Sequence, residues 1–382
     1  MRIGHYMRDL WKPGGISTYI QRLSAAQRDA GDSVVFLDVS PTHPSWIAAE
    51  DWQCVDDDAA LFAAAAHLQL DVLHVHTLVA VPSVLTTPVL RTLHGHEPYC
   101  PSGGRFLERS GKPCSRNYSL LGCTWGHVVD RCGSLRPGVM RAGFARRSAE
   151  KRETSRLPVL TVSEYLRTQM LRAGYDAQRV HALALPAPPA VPGAVPPPRG
   201  TDERFVFLGR LTPHKGVDWL LEAAARVQQP IQVDIAGDGN VQEQLRDRAK
   251  HLGLENRVTF HGWVDSQQVA RLLDASRALV FPSLWQEPAG LVCFEAAAHA
   301  RAVIASRVGG IPEMVSDQRT GILVEPGDVA ALAAAIERLA GDADLAQKLG
   351  QHAYESVPRQ FAMGEHLQKL NDFYRQCILS KG

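Results

Sequence analysis

Two glutamates, Glu287 and Glu295, stand in the stretch FPSLWQEPAGLVCFEAAA (281–298). Glu287 lies beside Pro288 and close to Gly290, at an expected bend. Glu295 falls within an apolar run expected to be helical from about Gly290 or Leu291. Carboxylates so placed suit hydrogen bonding to sugar hydroxyls, beside a phosphate rather than on it, because like charges repel. A surface helix glutamate is the plainer reading of Glu295, and its apolar neighbours Val292, Cys293 and Phe294 weigh against it. Upstream, GRLTPHKG (209–216) follows a strand candidate directly. It sets Arg210 and Lys215 near a sheet edge and the start of a helix, whose first N–H groups lack intrahelical partners. An arginine fork and a lysine point charge there suit a diphosphate; a solvated basic loop is the alternative. Gly237 in AGDG (236–239), and Gly14 and Gly15 in KPGGIS (12–17), would let backbone approach phosphate closely, although neither stretch is G-x-G-x-x-G.

The elements that must carry these groups alternate between strand and helix. Strands are expected at Arg2 to Tyr6, 32–39, 71–77, 88–95 and 159–163, with a helix from Ser17 to Ala30. Alternation restarts with strands at 204–210, 231–237, 258–264, 278–283 and 302–306, and helices from Gly216 to about Val227 and from Val241 to His251. That order predicts parallel sheets with helices on both faces. Between the halves, 184–200 carries seven prolines and can be neither helix nor central strand. It marks a boundary between an acceptor-side domain at 1–190 and a second domain at 191–365. A closing helix within 366–382, with Leu367, Leu370, Phe373, Tyr374 and Ile378 on its apolar side, is expected to return towards the first domain. Two such α/β domains leave a cleft at the carboxyl ends of their strands, where ligands bind.

Composition agrees with this plan. The chain has 382 residues, 45% of them apolar and 21% charged, with a formal net charge of +1. That predicts a folded two-domain protein and gives no support to a nucleic-acid partner. No apolar run is long enough to span a membrane, and MRIGHYMRDL lacks the apolar segment of a signal peptide, so the cytoplasm is the expected compartment.

In their order, GRLTPHKGVDWLLEAAA (209–225), AGDG (236–239), FHGWV (260–264), FPSLWQEPAGLVCFEAAA (281–298), VIASRVGGIPEMVSD (303–317) and GILVEPGD (321–328) resemble the GT-B glycosyltransferases of the large retaining family four. The resemblance implies two Rossmann-like α/β domains facing each other across a cleft. It implies transfer of a sugar, with retention, from a nucleotide-diphosphate sugar, UDP- or GDP-linked, to an acceptor hydroxyl in bacterial glycan or glycolipid synthesis. Arg210 and Lys215 would neutralise the diphosphate, Glu287 would bind donor-sugar hydroxyls, and Glu295 would bind the ribose. The amides near Gly290, Leu291 and Val292 would touch phosphate or sugar, and Gly262, Trp263 and Val264 would lie by the base. Gly15 would approach from the opposite domain, and His94 would stand near the donor sugar, with His96 as its competitor. The acceptor, a glycan or a lipid-linked one, would bind the first domain.

The resemblance also favours same-face attack over double displacement through Glu287. No catalytic metal is expected. Asp56 and Asp58 in VDDDAA (55–60) mimic a metal-binding D-x-D, but they precede a helical stretch and read better as its cap. His74 and His76 are read as structural. Ala289, Ala300 and Ala302 depart from the family's usual pattern near the donor and suggest an unusual sugar preference. A GT-B nucleotide-sugar epimerase and a non-enzymatic nucleotide- or metal-binding protein remain the rival readings.

Two further features lie near the acceptor side. After His94 comes an insertion-like region, 99–133, with Cys100, Cys114, Cys123 and Cys132 at spacings of 14, 9 and 9. Four thiolates could hold structural zinc, or an iron–sulfur centre; free or partly paired cysteines are the alternative. Residues 136–152 are rich in arginine and lysine, with Val139, Met140 and Phe144 interspersed. They read either as a solvated basic helix or as a membrane-surface helix that would hold the protein at the inner face of the membrane.

Overall fold

The computed structural model describes residues 1–194 and 203–380, apart from 11 and 13. From residue 195 onward, the proline-rich connector expected over 184–200 lies outside the described residues.

Strands β1 (Arg2–Tyr6), β2 (Ser33–Asp38), β3 (Trp52–Cys54), β4 (Val72–Val75) and β5 (Val89–Leu93) begin the first sheet. A short antiparallel pair, β6 (Phe106–Leu107) and β7 (Lys112–Pro113), follows apart from it, and β8 (Val159–Thr161) and β9 (Val180–Ala182) complete it. The order is β3-β2-β1-β4-β5-β8-β9, with every neighbouring pair parallel. The second sheet holds β10 (Glu203–Leu208), β11 (Ile231–Ala236), β12 (Val258–Gly262), β13 (Ala278–Phe281), β14 (Ala302–Ser306) and β15 (Gly321–Val324). Its order is β12-β11-β10-β13-β14-β15, again parallel throughout. Both sheets reverse their order beside the first strand of the half, which is where an open parallel sheet makes its ligand crevice.

Burial on both faces explains the apolar strands. In β10, Phe205 and Phe207 enter one core cluster while Val206 and Leu208 enter another. In β2, Val34 and Phe36 divide from Val35 and Leu37 in the same way. A strand with period two and helices on either side must be apolar at every position. Several strands end earlier than their apolar runs suggest. The run 204–210 stops as strand at Leu208, which releases Gly209 and Arg210 into the loop.

Close approach of the loops at the strand ends demands glycine at Gly237 and Gly216. Gly237 has φ 143°, and a Cβ there would lie 1.8 Å from the Gly209 carbonyl oxygen. Gly216 has φ 73°, and its Cβ would lie 1.9 Å from the Pro282 oxygen. No side chain fits either place.

The closing helix, Met363–Leu379, packs Leu367, Leu370 and Tyr374 into the core of the first sheet, not the second. The two halves also meet through polar contacts. Glu313 accepts from the backbone N–H groups of Glu164 and Tyr165, at 2.8 and 2.7 Å, and so caps helix Glu164–Arg172 from the other half. Ser163 Oγ donates to the Pro288 carbonyl at 2.6 Å. His96 Nε2 donates to the Gln286 carbonyl at 2.6 Å. These contacts pin the bend that carries Glu287 against the first half.

Candidate functional site

Between the halves lies a cavity of about 760 Å³, within the ~300–1,000 Å³ typical of small-molecule sites. One wall comes from helix Gly15–Asp29, which presents Gly15, Thr18, Tyr19 and Arg22 along a single face. The segment carrying Leu185, Pro186 and Pro188 continues that wall. The opposite wall is built from the loops after β10, β11 and β12 and from helix Leu291–Ala298. A Cβ on Gly15 would lie 3.0 Å from Leu291 Cδ1, so the starts of the two helices meet across the gap. Each directs unpaired N–H groups and the positive end of its dipole towards the cavity.

The charged residues that line it are Arg22, Arg210, Asp238 and Glu295. Arg210 lines the cavity and is exposed to solvent. Glu295 projects from the first turns of helix Leu291–Ala298. It is exposed to solvent, yet the surrounding walls partly desolvate its carboxylate and raise its pKa, with Arg22 opposing the rise. Arg22 in turn donates to the Ala187 carbonyl, which ties helix Gly15–Asp29 to the 185–188 segment.

Lys215 and Glu287 form a buried ion pair. Lys215 Nζ lies 2.6 Å from Glu287 Oε1, with side-chain exposures of 12% and 4%. Ser283 Oγ donates to the same carboxylate oxygen at 2.7 Å. The Lys215 ammonium also lies 5.0 Å from the Trp285 ring centre and 5.4 Å from that of Phe281. The pair is therefore held rigidly at the bend behind the cavity wall.

Four histidines lie behind Tyr19, inside the first half. His94 Nε2 lies 3.1 Å from His76 Nδ1, His76 Nε2 lies 3.1 Å from His5 Nδ1, and His5 Nε2 lies 2.8 Å from Gln27 Oε1. Gln27 Nε2 donates to the Tyr374 hydroxyl, so its Oε1 is the acceptor that ends the row. Each ring must then carry its proton on Nε2, which leaves His94 Nδ1 as a bare acceptor. Burial keeps these rings neutral: His94 is lowered to about 3 and His5 to about 4, both chiefly by desolvation. His74 belongs to the same group and bonds Tyr374 Oη and Thr92 Oγ1, each at 2.7 Å. His5, His74 and His76 bring ring nitrogens within 4.8 Å of one another, a grouping that could hold a metal ion. Their nitrogens already serve this hydrogen-bond network.

Of the residues named from sequence, Gly14, Gly15, Arg210, Gly237, Trp263, Val264, Leu291, Val292 and Glu295 line the one cavity. Gly262 stands behind it, with its carbonyl accepting from Gly237 N–H at 2.7 Å. Gly290 N–H points to Met314 Sδ at 3.0 Å, turned away from any phosphate. His94, Lys215 and Glu287 are not among the lining residues; Tyr19, which is, has its ring centre 5.8 Å from that of His94. Thr18, Tyr19 and Arg22 were not foreseen from sequence. Their signal was the helical spacing that puts them on the same face as Gly15.

The remaining features fall elsewhere. Asp57 caps helix Asp58–His67 by accepting from Ala60 N–H, while Asp58 pairs with Arg8 at 3.1 Å and accepts from Ala80 N–H. The basic stretch becomes helix Pro137–Thr154, and several of its cations have partners within the fold. Arg147 stacks over Tyr118 at 3.6 Å, and Lys151 donates to the Ala173 and Gly174 carbonyls. Among the described residues, no helix is long and apolar enough to cross a membrane. Cys100, Cys114, Cys123 and Cys132 are free thiols that line one small cavity together.

Comparison with known proteins places this geometry. Residues 194–356 match the family model of the glycosyl transferases group 1. The chain is 29% identical to an alpha-D-kanosaminyltransferase of Streptomyces kanamyceticus over 62% of its own length and 64% of that protein's, under two thirds of the relative. It is 27% identical to an alpha-maltose-1-phosphate synthase of Mycolicibacterium smegmatis over 95% of both chains. Among solved structures, a sucrose-phosphate synthase from Thermosynechococcus elongatus superposes with a TM-score of 0.77 at 21% identity, covering 99% of each chain. That likeness fixes the fold as GT-B.

Proposed function

We propose that this chain, whose residues 194–356 match the group 1 glycosyltransferases and whose fold is GT-B, moves a sugar from a nucleotide-diphosphate sugar to an acceptor hydroxyl with retention of anomeric configuration. The reading rests above all on the single cavity where Arg210, Gly237, Glu295 and the starts of two helices converge. Diphosphate oxygens sit between the N-termini of helices Gly15–Asp29 and Leu291–Ala298, with Arg210 supplying a two-pronged donor. Ribose hydroxyls donate to Glu295, and the base rests by Trp263 and Val264. The bend carrying Glu287 faces the sugar, and His94 Nδ1 accepts from one of its hydroxyls.

The chemistry follows from this placement. Negative charge grows on the leaving diphosphate as the glycosidic bond stretches. Fixed N–H dipoles and Arg210 stabilise that charge without reorganising, and such preorganised stabilisation is what lowers the barrier most in a site of this kind. The acceptor hydroxyl approaches the face the diphosphate is leaving, and a departing phosphate oxygen takes its proton. Glu287 is already held by Lys215 and Ser283, which suits binding more than nucleophilic attack.

For the acceptor, a lipid-linked glycan presented at a membrane surface is the favoured class. Leu121, Trp125 and Val128 are exposed along one side of helix Leu120–Val128, and Leu135 and Val139 are exposed beyond it. Arg136 and Arg141 stand among them. An apolar face rimmed with cations suits the boundary of an anionic bilayer. The enzyme would then work at the cytoplasmic face.

Incubation with UDP-, GDP- and ADP-linked sugars and candidate acceptors, followed by proton NMR, tests the proposal. Transfer with the donor's anomeric configuration preserved is expected. Inverted product would remove the retaining mechanism. Isomerised donor with no transfer would favour the epimerase reading.

A further inference from the structure

The region 99–133 contributes little to either sheet, and its side chains converge on something else. Cys100, Cys114 and Cys132 come from separate loop segments and Cys123 from helix Leu120–Val128, yet all four line a cavity of about 30 Å³. That is room for roughly one water-sized body, too little for a multi-iron cluster. His127 also lines it, 3% exposed, and neither ring nitrogen has a hydrogen-bond partner of good geometry.

We propose that these four cysteines hold one structural zinc ion, with His127 packed beside it. Four thiolates on a divalent cation leave a net charge of minus two, and Arg105 lines the same cavity together with Arg116, which also pairs with Asp130. Arg105 is fixed in place, donating to the Arg116 carbonyl at 2.6 Å and to Gln169 Oε1 at 3.0 Å. Among the described residues, no three of the sulfurs lie mutually within 4.8 Å. Zinc–thiolate bonds of ~2.3 Å in a tetrahedron set sulfurs roughly 3.8 Å apart, so loading draws the four sulfurs closer together.

The ion would staple a loop that reaches the other half. The Phe106 ring centre lies 6.2 Å from that of His214, the residue before Lys215. Phe106, Glu108 and Gly111 share a groove with Thr212, Pro213 and Gly216. A small two-stranded loop has too little core to hold that position unaided, and metal ligation supplies the missing rigidity.

The test uses the full-length wild-type chain, purified without chelator, and does not depend on its catalysing anything. Metal analysis should find about one zinc per chain, and X-ray absorption at the zinc edge should find sulfur neighbours at ~2.3 Å. Cys114→Ser and Cys123→Ser should each lose the metal. A strong chelator should lower the unfolding temperature of the wild type and leave that of a metal-free variant unchanged. Zinc-free wild-type protein with four freely reacting thiols would overturn the proposal. So would iron with a visible absorption band, disulfides among the four cysteines, or zinc bound only by nitrogen and oxygen.

Discussion

Replacing Lys215 with methionine isolates the pair on which the bend depends. Its partner Glu287 would keep the hydrogen bond from Ser283 and lose the Lys215 ammonium at 2.6 Å while its side chain is 4% exposed. Breaking a buried ion pair by removing one member costs about 3–5 kcal/mol, because the remaining charge stays desolvated. For a domain of this size each kcal/mol moves the unfolding temperature by ~2–4 °C, so Lys215→Met should lower it by roughly 6–20 °C. Adding Glu287→Gln removes the stranded charge while preserving the acceptor for Ser283. The double variant should recover most of that loss, whereas turnover should stay depressed in both. Scanning calorimetry of the four proteins of this cycle gives the answer. A single variant that melts within about 2 °C of wild type, or a double variant no more stable than Lys215→Met, would refute the reasoning.

Other outcomes follow from the same geometry. Gly237→Ala places a Cβ 1.8 Å from the Gly209 oxygen at φ 143° and should cost at least ~3 kcal/mol in urea unfolding. His5 and His366 are lowered to about 4 and His94 to about 3, in each case chiefly by burial. Below the unfolded value of 6.5, the unfolded chain takes up protons that the folded chain refuses. Their contribution is therefore complete above pH 6.5 and lost as pH falls towards 4, which thermal melts across that window should record. Trp125→Ser should weaken sedimentation with phosphatidylglycerol vesicles while leaving the melting temperature unchanged; equal sedimentation would remove the membrane surface from the proposal.

The alternation of apolar strands and helices was legible in sequence because parallel strands buried on both faces are apolar throughout, as in β10. Edge strands were harder. β3, with its half-exposed Trp52–Cys54, and β9 carry no continuous apolar run. Arg210 and Gly237 could be placed because each follows a strand, a position that a crevice dictates, and Glu295 because it lies in the helix that follows the bend at 287–290. Partnerships between distant residues were beyond reach. Glu287 and Lys215 were each assigned to a ligand, and only the packing of two loops reveals that they hold each other. The histidine row depends on register: pairing of β1 with β4 sets His5 beside His74, and no local pattern encodes it. Tyr19 and Arg22 likewise became site residues only when their helix was set against the second half.

The central claim is that the cavity binds a nucleotide-diphosphate sugar through Arg210 and helix amides. Titration calorimetry of UDP-, GDP- and ADP-linked sugars into wild type and Arg210→Ala, without divalent metal, tests it most directly. Arg210 is exposed, so the variant should keep its stability within about 0.5 kcal/mol. One donor should bind the wild type, and the variant should bind it at least ~10-fold more weakly, the loss of one charge-assisted hydrogen bond or more. Failure of every donor to bind the wild type, or equal affinity in the variant, would contradict the account.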